Sequence, residues 1–69
     1  MNTTEVEALV RSVITHLGLP FAVLSVIPSP IGWNIRVRAG TGGLVSFAIA
    51  GGRPVSMRVA IQEKLEAEL

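Results

Sequence analysis

The stretch 32-GWNIRVRAGTGGLVSFAIA-50 decides the fold of this 69-residue chain. In its first half the apolar residues Trp33, Ile35 and Val37 alternate with polar residues. In its second half a similar alternation runs from Leu44 to Ala50. A period of two is typical of strands with one buried and one solvated face, and the glycine-rich segment 39–43 between them predicts a turn. We therefore predict a β-hairpin whose apolar side is covered by the rest of the chain.

Length and composition restrict the chain to one small domain. A domain of this size buries only about 60% of its unfolded surface. Its core supplies no more than about 3–5 kcal/mol of net stability. The chain has no cysteine, so neither a disulfide nor a thiolate metal site adds to that. Yet 49% of its residues are hydrophobic, and self-association is one natural outlet for the excess apolar surface.

The charge balance argues against several classes of protein. Six basic and five acidic residues give a formal net charge of +1, which is not typical of a strongly phosphate-binding protein. No apolar run approaches the roughly 20 residues of a membrane span. No basic N-terminal segment followed by an apolar run is present, so no signal peptide is predicted. We expect a soluble cytoplasmic protein that does not enter a membrane.

The N-terminal segment has a helical pattern. Thr4 and Glu7 have the spacing of a capping box, and Gly18 and Pro20 suit the end of a helix. Between them, apolar residues recur at helical spacing over three turns. These residues are Val6, Leu9, Val10, Val13, Ile14 and Leu17. We predict a helix over residues 4–17.

Residues 21–27, FAVLSVI, predict a first strand with an ambiguous register. Ser25 is its only polar residue, so both faces are apolar. Strict alternation leaves two alternatives for the face turned away from the helices. That face carries either Leu24 and Val26 or Val23 and Ile27. Residues 28–32, PSPIG, predict a turn into the hairpin.

The C-terminal segment predicts a second helix that begins near Pro54, after two glycines. Its apolar stripe consists of Met57, Ala60, Ile61 and Leu65. The element order is therefore α-β-β-β-α. The short links favour an antiparallel meander, and the single stripe on each helix favours both helices on one face of the sheet. This is an α+β two-layer sandwich.

That order resembles the double-stranded-RNA-binding domain over nearly the whole chain. The first helix ends in Gly18-Leu19-Pro20, similar to the G-L-P often found there, and the last two strands meet in a glycine-rich turn. The resemblance implies the same fold and a contact with duplex RNA. In that family, lysines of a K-K-x-A-K motif at the start of the last helix reach phosphates. Here the motif falls on residues 53–57, RPVSM, where only Arg53 keeps a charge, so the motif is degenerate.

The candidates for enzymatic chemistry are few. His16 is the only histidine, and the chain contains neither cysteine nor aspartate. A metal set would need glutamates and partner chains, and a nucleophile needs a base and an orienting group in a pocket. Ser12 and Thr15 are close to His16 in sequence, but on an exposed helix these three residues form no pocket. We therefore expect no enzyme activity, no cofactor and no metal.

The face of the sheet turned away from the helices is the predicted functional surface. We predict an interaction module that uses this face for homodimerisation or for a protein partner, because exposed apolar patches usually mark association surfaces. The predicted contact residues are Leu24, Val26, Leu44, Arg36 and Arg38. The alternative is an RNA- or DNA-binding domain, and its predicted contacts are Arg36, Arg38, Arg53 and Arg58. A small inhibitor of another protein is a third, weaker hypothesis.

Overall fold

The hairpin of the central stretch forms the middle and one edge of a three-stranded antiparallel sheet. The computed structural model describes all 69 residues. Helix α1 spans Thr3–Leu17, strand β1 Phe21–Ser29, strand β2 Gly32–Ala39, strand β3 Leu44–Ala50 and helix α2 Pro54–Glu66. The sheet order is β1-β2-β3, and both strand pairs are antiparallel. The predicted element order and α+β class are confirmed.

The core lies between one face of the sheet and the two helices. Helix α1 contacts β1, α2 contacts β3, and the helices contact each other. The buried residues form one apolar cluster with no buried polar group. Its members are Val6, Val10, Val13, Ile14, Val26, Ile35, Val37, Ile49, Met57, Ile61 and Leu65. Trp33 and Phe47 both pack against this cluster, so the two hairpin strands turn the same face to the helices.

Strand β1 contains a β-bulge that neither predicted register includes. Val23 pairs with Val37 and Ser25 pairs with Arg36, so Leu24 has no partner on β2. An extra residue reverses the alternation beyond it. Val26 is therefore 7% exposed and lies in the core, and its predicted place on the outward face was wrong. Ile27, two residues beyond Ser25, is 55% exposed instead.

The start of α1 also differs from the predicted one. Asn2, not Thr4, is the N-cap, and its side-chain oxygen accepts a hydrogen bond from the Glu5 amide at 2.8 Å. The Asn2 amide in turn donates to the Glu5 carboxylate at 3.0 Å. Asparagine is at least as good a cap as threonine, so the helix begins one residue earlier. Glu7 is then free to pair with Arg11 one turn on, at 2.6 Å.

This cap gives a first prediction. Asn2→Ala removes the acceptor for the Glu5 amide and is expected to lower the free energy of unfolding by about 1 kcal/mol. Thr4→Ala is the matched control, because Thr4 lies inside the helix, is exposed, and makes no capping bond. Urea unfolding followed by circular dichroism measures both. A larger loss in Thr4→Ala would contradict the observed cap.

The other element ends agree with the sequence pattern. Gly18 has the left-handed conformation, φ +63°, and its amide closes the last turn of α1. Helix α2 begins at Pro54 as predicted. Strand β1 runs on to Ser29 through Pro28, beyond the predicted end at 27. Pro28 is tolerated there because β1 is an edge strand.

Candidate functional site

The sheet face turned away from the helices is solvent-exposed along its whole length. We call it the open face, and its side chains follow from the register of the three strands. They are Ala22, Leu24, Ser25, Ile27, Ser29, Asn34, Arg36, Arg38, Leu44, Ser46, Ala48 and Ala50. The bulge places both Leu24 and Ser25 on this face, since the bulged residue and the next one share a side.

The apolar part of the open face lies mainly on its two edge strands. Leu24 is 44% exposed on β1 and Leu44 is 61% exposed on β3. Ile27 adds a third large apolar side chain, which lies beside Asn34 of β2. The remaining outward side chains of β3 are small. The face is therefore flat, with large apolar groups at its margins.

Two arginines form the centre of the open face. Arg36 pairs with Ser25 and Ser46, and Arg38 pairs with Ala22 and Leu44. They are the only charged residues in the whole of residues 21–50. Neither guanidinium makes an ion pair or a side-chain hydrogen bond, because the single ion pair of the structure joins Arg11 and Glu7.

The two layers of the domain carry different charges. All five glutamates lie on the helices or after them: Glu5, Glu7, Glu63, Glu66 and Glu68. The open face has no carboxylate, so the positive charge of Arg36 and Arg38 is not balanced there. A ligand that supplies negative groups to this face meets no repulsion from the sheet layer.

A shallow depression of about 430 Å³ lies beside Arg36. Its rim includes Ser25 and Ile27 of β1, Asn34 and Arg36 of β2, and Ser46 of β3. The depression therefore spans all three strands and combines hydroxyl, amide and guanidinium groups with an exposed isoleucine.

The four arginines predicted to bind nucleic acid do not share one surface. Arg36 and Arg38 lie together on the open face. Arg58 lies on α2, and its guanidinium donates a hydrogen bond to the Ser12 hydroxyl of α1 at 3.2 Å, in the helical layer. Arg53 is exposed at the start of α2 and makes no side-chain capping bond. The four arginines therefore divide between the open face and the helical segment, and their contact with a nucleic acid stays a prediction.

The remaining sequence candidates do not gather into a site. His16 is exposed near the end of α1. No three histidine or glutamate side chains come close enough together to hold a metal ion. Neither helix combines the length and the apolar character needed to cross a membrane.

One of the two predicted registers placed Ile27 on the open face, but neither placed Leu24 and Ile27 there together. The signal available was Ser25, the one polar residue of the stretch 21–27. Only a break in the alternation places Leu24 and Ser25 on the same face. Comparison of the chain with protein-family models, curated proteins and solved structures finds no match.

Proposed function

We propose that this protein is a small non-enzymatic interaction module that binds a protein partner through its open face. The observation that carries the proposal is the pair Arg36 and Arg38, unpaired within the chain and flanked by exposed Leu24 and Leu44. Exposed apolar patches mark association surfaces, and arginine is enriched at protein interfaces.

The spacing of the arginines indicates what the partner presents. Alternate residues on one face of a strand are roughly 7 Å apart. A guanidinium binds a carboxylate through two parallel hydrogen bonds, and Arg36 and Arg38 offer two such forks in a row. An extended segment with acidic side chains at alternate positions, flanked by apolar ones, matches this arrangement. Because the face measures only roughly 14 by 23 Å, the interaction is expected to be weak and transient.

A second copy stacked on the open face fits less well. Stacked sheets lie about 10 Å apart, so Arg36 and Arg38 of both copies would meet with no carboxylate between them. Like charges brought together in this way cost several kcal/mol.

Nucleic-acid binding is the second candidate, and the same two arginines favour it. It has less support, because the aromatic side chains Phe21, Trp33 and Phe47 pack against the core and none lies on the open face to stack with bases. Two arginines also give few phosphate contacts. The logarithm of the affinity would then fall with the logarithm of salt with a slope of only about −1.8.

The proposal is tested by reversing the charge of the open face. We expect Arg36→Glu/Arg38→Glu to lower the affinity for the partner at least tenfold. The control Arg53→Glu/Lys64→Glu makes the same change in net charge outside the open face and is expected to bind the partner normally. Leu24→Glu is expected to weaken binding. Val55 lies on the outer side of α2 and is 75% exposed, so the control Val55→Glu is expected to leave binding unchanged. Capture from extracts of the source cells identifies the partner, and calorimetry measures its affinity for each variant.

Two outcomes would overturn this function. One is a partner that binds the open-face variants and the controls equally. The other is duplex RNA that binds the wild type at low salt and fails to bind Arg36→Glu/Arg38→Glu, which would replace the protein partner by a nucleic acid.

A further inference from the structure

The two free edges of the sheet differ in their protection against pairing. The free edge of β1 is interrupted by the bulge at Leu24 and by Pro28, which has no amide hydrogen. Bulges and prolines are the usual devices that stop an edge from pairing with another chain. Strand β3, LVSFAIA, has seven residues with no charge, no proline and no register shift. It is an exposed, regular and unprotected edge.

The outward backbone groups of β3 follow from the hydrogen-bond pattern of the hairpin. The Ala39 amide donates to the Gly43 carbonyl at 2.8 Å, and the Gly51 amide donates to the Ile31 carbonyl at 3.0 Å. Bonded pairs alternate in an antiparallel ladder, so Val45, Phe47 and Ile49 bond to β2. The amides and carbonyls of the other four residues therefore point away from the sheet. These residues are Leu44, Ser46, Ala48 and Ala50.

We propose that a second copy of this chain pairs with this edge, so that β3 meets β3 of its partner antiparallel and the two sheets become one of six strands. The register centred on Phe47 joins Ser46 to Ala48 of the partner and Leu44 to Ala50 of the partner. All four outward residues are then bonded, with about eight new backbone hydrogen bonds. Other registers leave some of these groups unpaired.

The side chains of β3 are self-complementary in that register. On the core side, Phe47 lies opposite the partner's Phe47 at the two-fold axis, and Val45 lies opposite the partner's Ile49. Val45 and Phe47 are only partly buried in the single chain, so pairing removes apolar surface from water. On the open face the facing residues are small or apolar, and no charge opposes another.

The charges favour edge pairing over stacking of open faces. With strands about 4.8 Å apart and an offset of two residues along the strands, Arg36 and the partner's Arg36 lie roughly 16 Å from each other across the joined edges. This exceeds the Debye length of about 8 Å at physiological salt, so their repulsion is largely screened.

Helix α2, which lies above the free edge of β3, also leaves room for a second copy of the chain. Arg58 points from α2 towards Ser12 of α1, so the opposite flank of α2 faces the side of the free edge. By helical spacing this flank carries Ser56, Ala60 and Lys64. Ser56 and Ala60 are small, and small side chains at the contact allow the shorter distances between helix axes.

The test is the mass of the full chain by sedimentation, from micromolar to near-millimolar concentration. We expect a concentration-dependent dimer for the wild type and a monomer for Ala48→Pro, which removes an outward amide of β3. A chemically synthesised chain with N-methylalanine at 48 replaces only that amide hydrogen, with a methyl group, and keeps the alanine side chain. Its matched control carries N-methylvaline at 23, on the free edge of β1, and is expected to dimerise. Circular dichroism establishes that each chain is folded.

The register has its own readout. The chain contains no cysteine, so Ser46→Cys/Ala48→Cys introduces the only thiols. In the register centred on Phe47, the thiol at position 46 faces the thiol at position 48 of the partner. The Cα atoms of the two positions are within the distance that a disulfide spans. Mild oxidation is expected to give a covalent dimer in this variant and much less in Ala48→Cys alone.

The outcomes separate this inference from the proposed function, which uses the open face and not the edge. Wild type that stays monomeric at every concentration overturns the inference. A dimer that survives N-methylation at 48 but is lost in Leu24→Glu also overturns it, because the contact would then be the open face. Loss of the dimer in the N-methyl-48 chain, with normal dimerisation of Arg36→Glu/Arg38→Glu, supports it whatever the partner experiment shows.

Discussion

Gly32→Ala is expected to destabilise the domain by about 3 kcal/mol or more, which is most of the roughly 3–5 kcal/mol that a core of this size supplies. Gly32 is the first residue of β2 and pairs with Ala50 at the end of β3. A Cβ at this position would overlap the carbonyl oxygen of Ile49. It would also lie 2.6 Å from the Gly51 nitrogen and 2.8 Å from the Ala50 carbonyl carbon. All three atoms belong to the backbone, so no side-chain rotation relieves the overlap.

The consequence extends beyond one contact, because this point joins the β1–β2 turn to the end of β3. The Gly51 amide beside Gly32 donates to the carbonyl of Ile31 at 3.0 Å, and displacing it opens the end of the β2–β3 ladder. Ile49, whose carbonyl is the nearest obstacle, is itself a core residue, 4% exposed. The strand cannot move aside without disturbing the core.

Gly43→Ala is the matched control. Gly43 lies in the other hairpin turn, has no atom within 4 Å of an added Cβ, and does not have a positive φ. We expect its unfolding free energy to stay within about 0.5 kcal/mol of the wild type. Urea unfolding monitored by the fluorescence of Trp33 measures both variants. Equal stability of the two would show that β2 and β3 do not approach each other as described.

Leu65→Ala is expected to lower the free energy of unfolding by about 2–5 kcal/mol. Leu65 is in the last turn of α2 and fully buried, 0% exposed, so truncation leaves a cavity in the single core of the domain. Because the whole core of such a domain supplies only about 3–5 kcal/mol, the variant is expected to be largely unfolded at room temperature.

The chain offers the same substitution four residues later as a control. Leu69 is 72% exposed, and Leu69→Ala removes the same atoms from a site that is already solvated. We expect a change of no more than about 0.5 kcal/mol. Thermal unfolding by circular dichroism compares the two variants. A large loss of stability in Leu69→Ala with little loss in Leu65→Ala would contradict the burial of Leu65 and the exposure of Leu69.

The elements themselves were predictable because the forces that define them act over a few residues. The stripe of α1, the left-handed Gly18 and the proline at the start of α2 depend on helical periodicity and backbone sterics, which are local. The alternation around Trp33 and Phe47 placed both on the core face for the same reason. The exposure of Arg36, Arg38 and Leu44 on the open face followed directly from that alternation.

The register of strand β1 could not be predicted from the local sequence. With apolar residues on both sides of the chain, the alternation of FAVLSVI favoured neither face. Its register was decided by pairing with β2, where Ser25 lies opposite Arg36 and Leu24 is left over. A bulge exists only relative to a partner strand, so the burial of Val26 and the exposure of Ile27 required the sheet to be assembled.

For the arginines, too, local sequence decided some positions and tertiary packing decided others. From the chain alone, Arg36, Arg38, Arg53 and Arg58 were all candidates for contact with a nucleic acid. Local periodicity was sufficient to put the first two on one strand face. Packing of α2 against α1 turned Arg58 towards Ser12, away from the open face, because a helix must bury its apolar stripe and its other side chains then take the directions that remain.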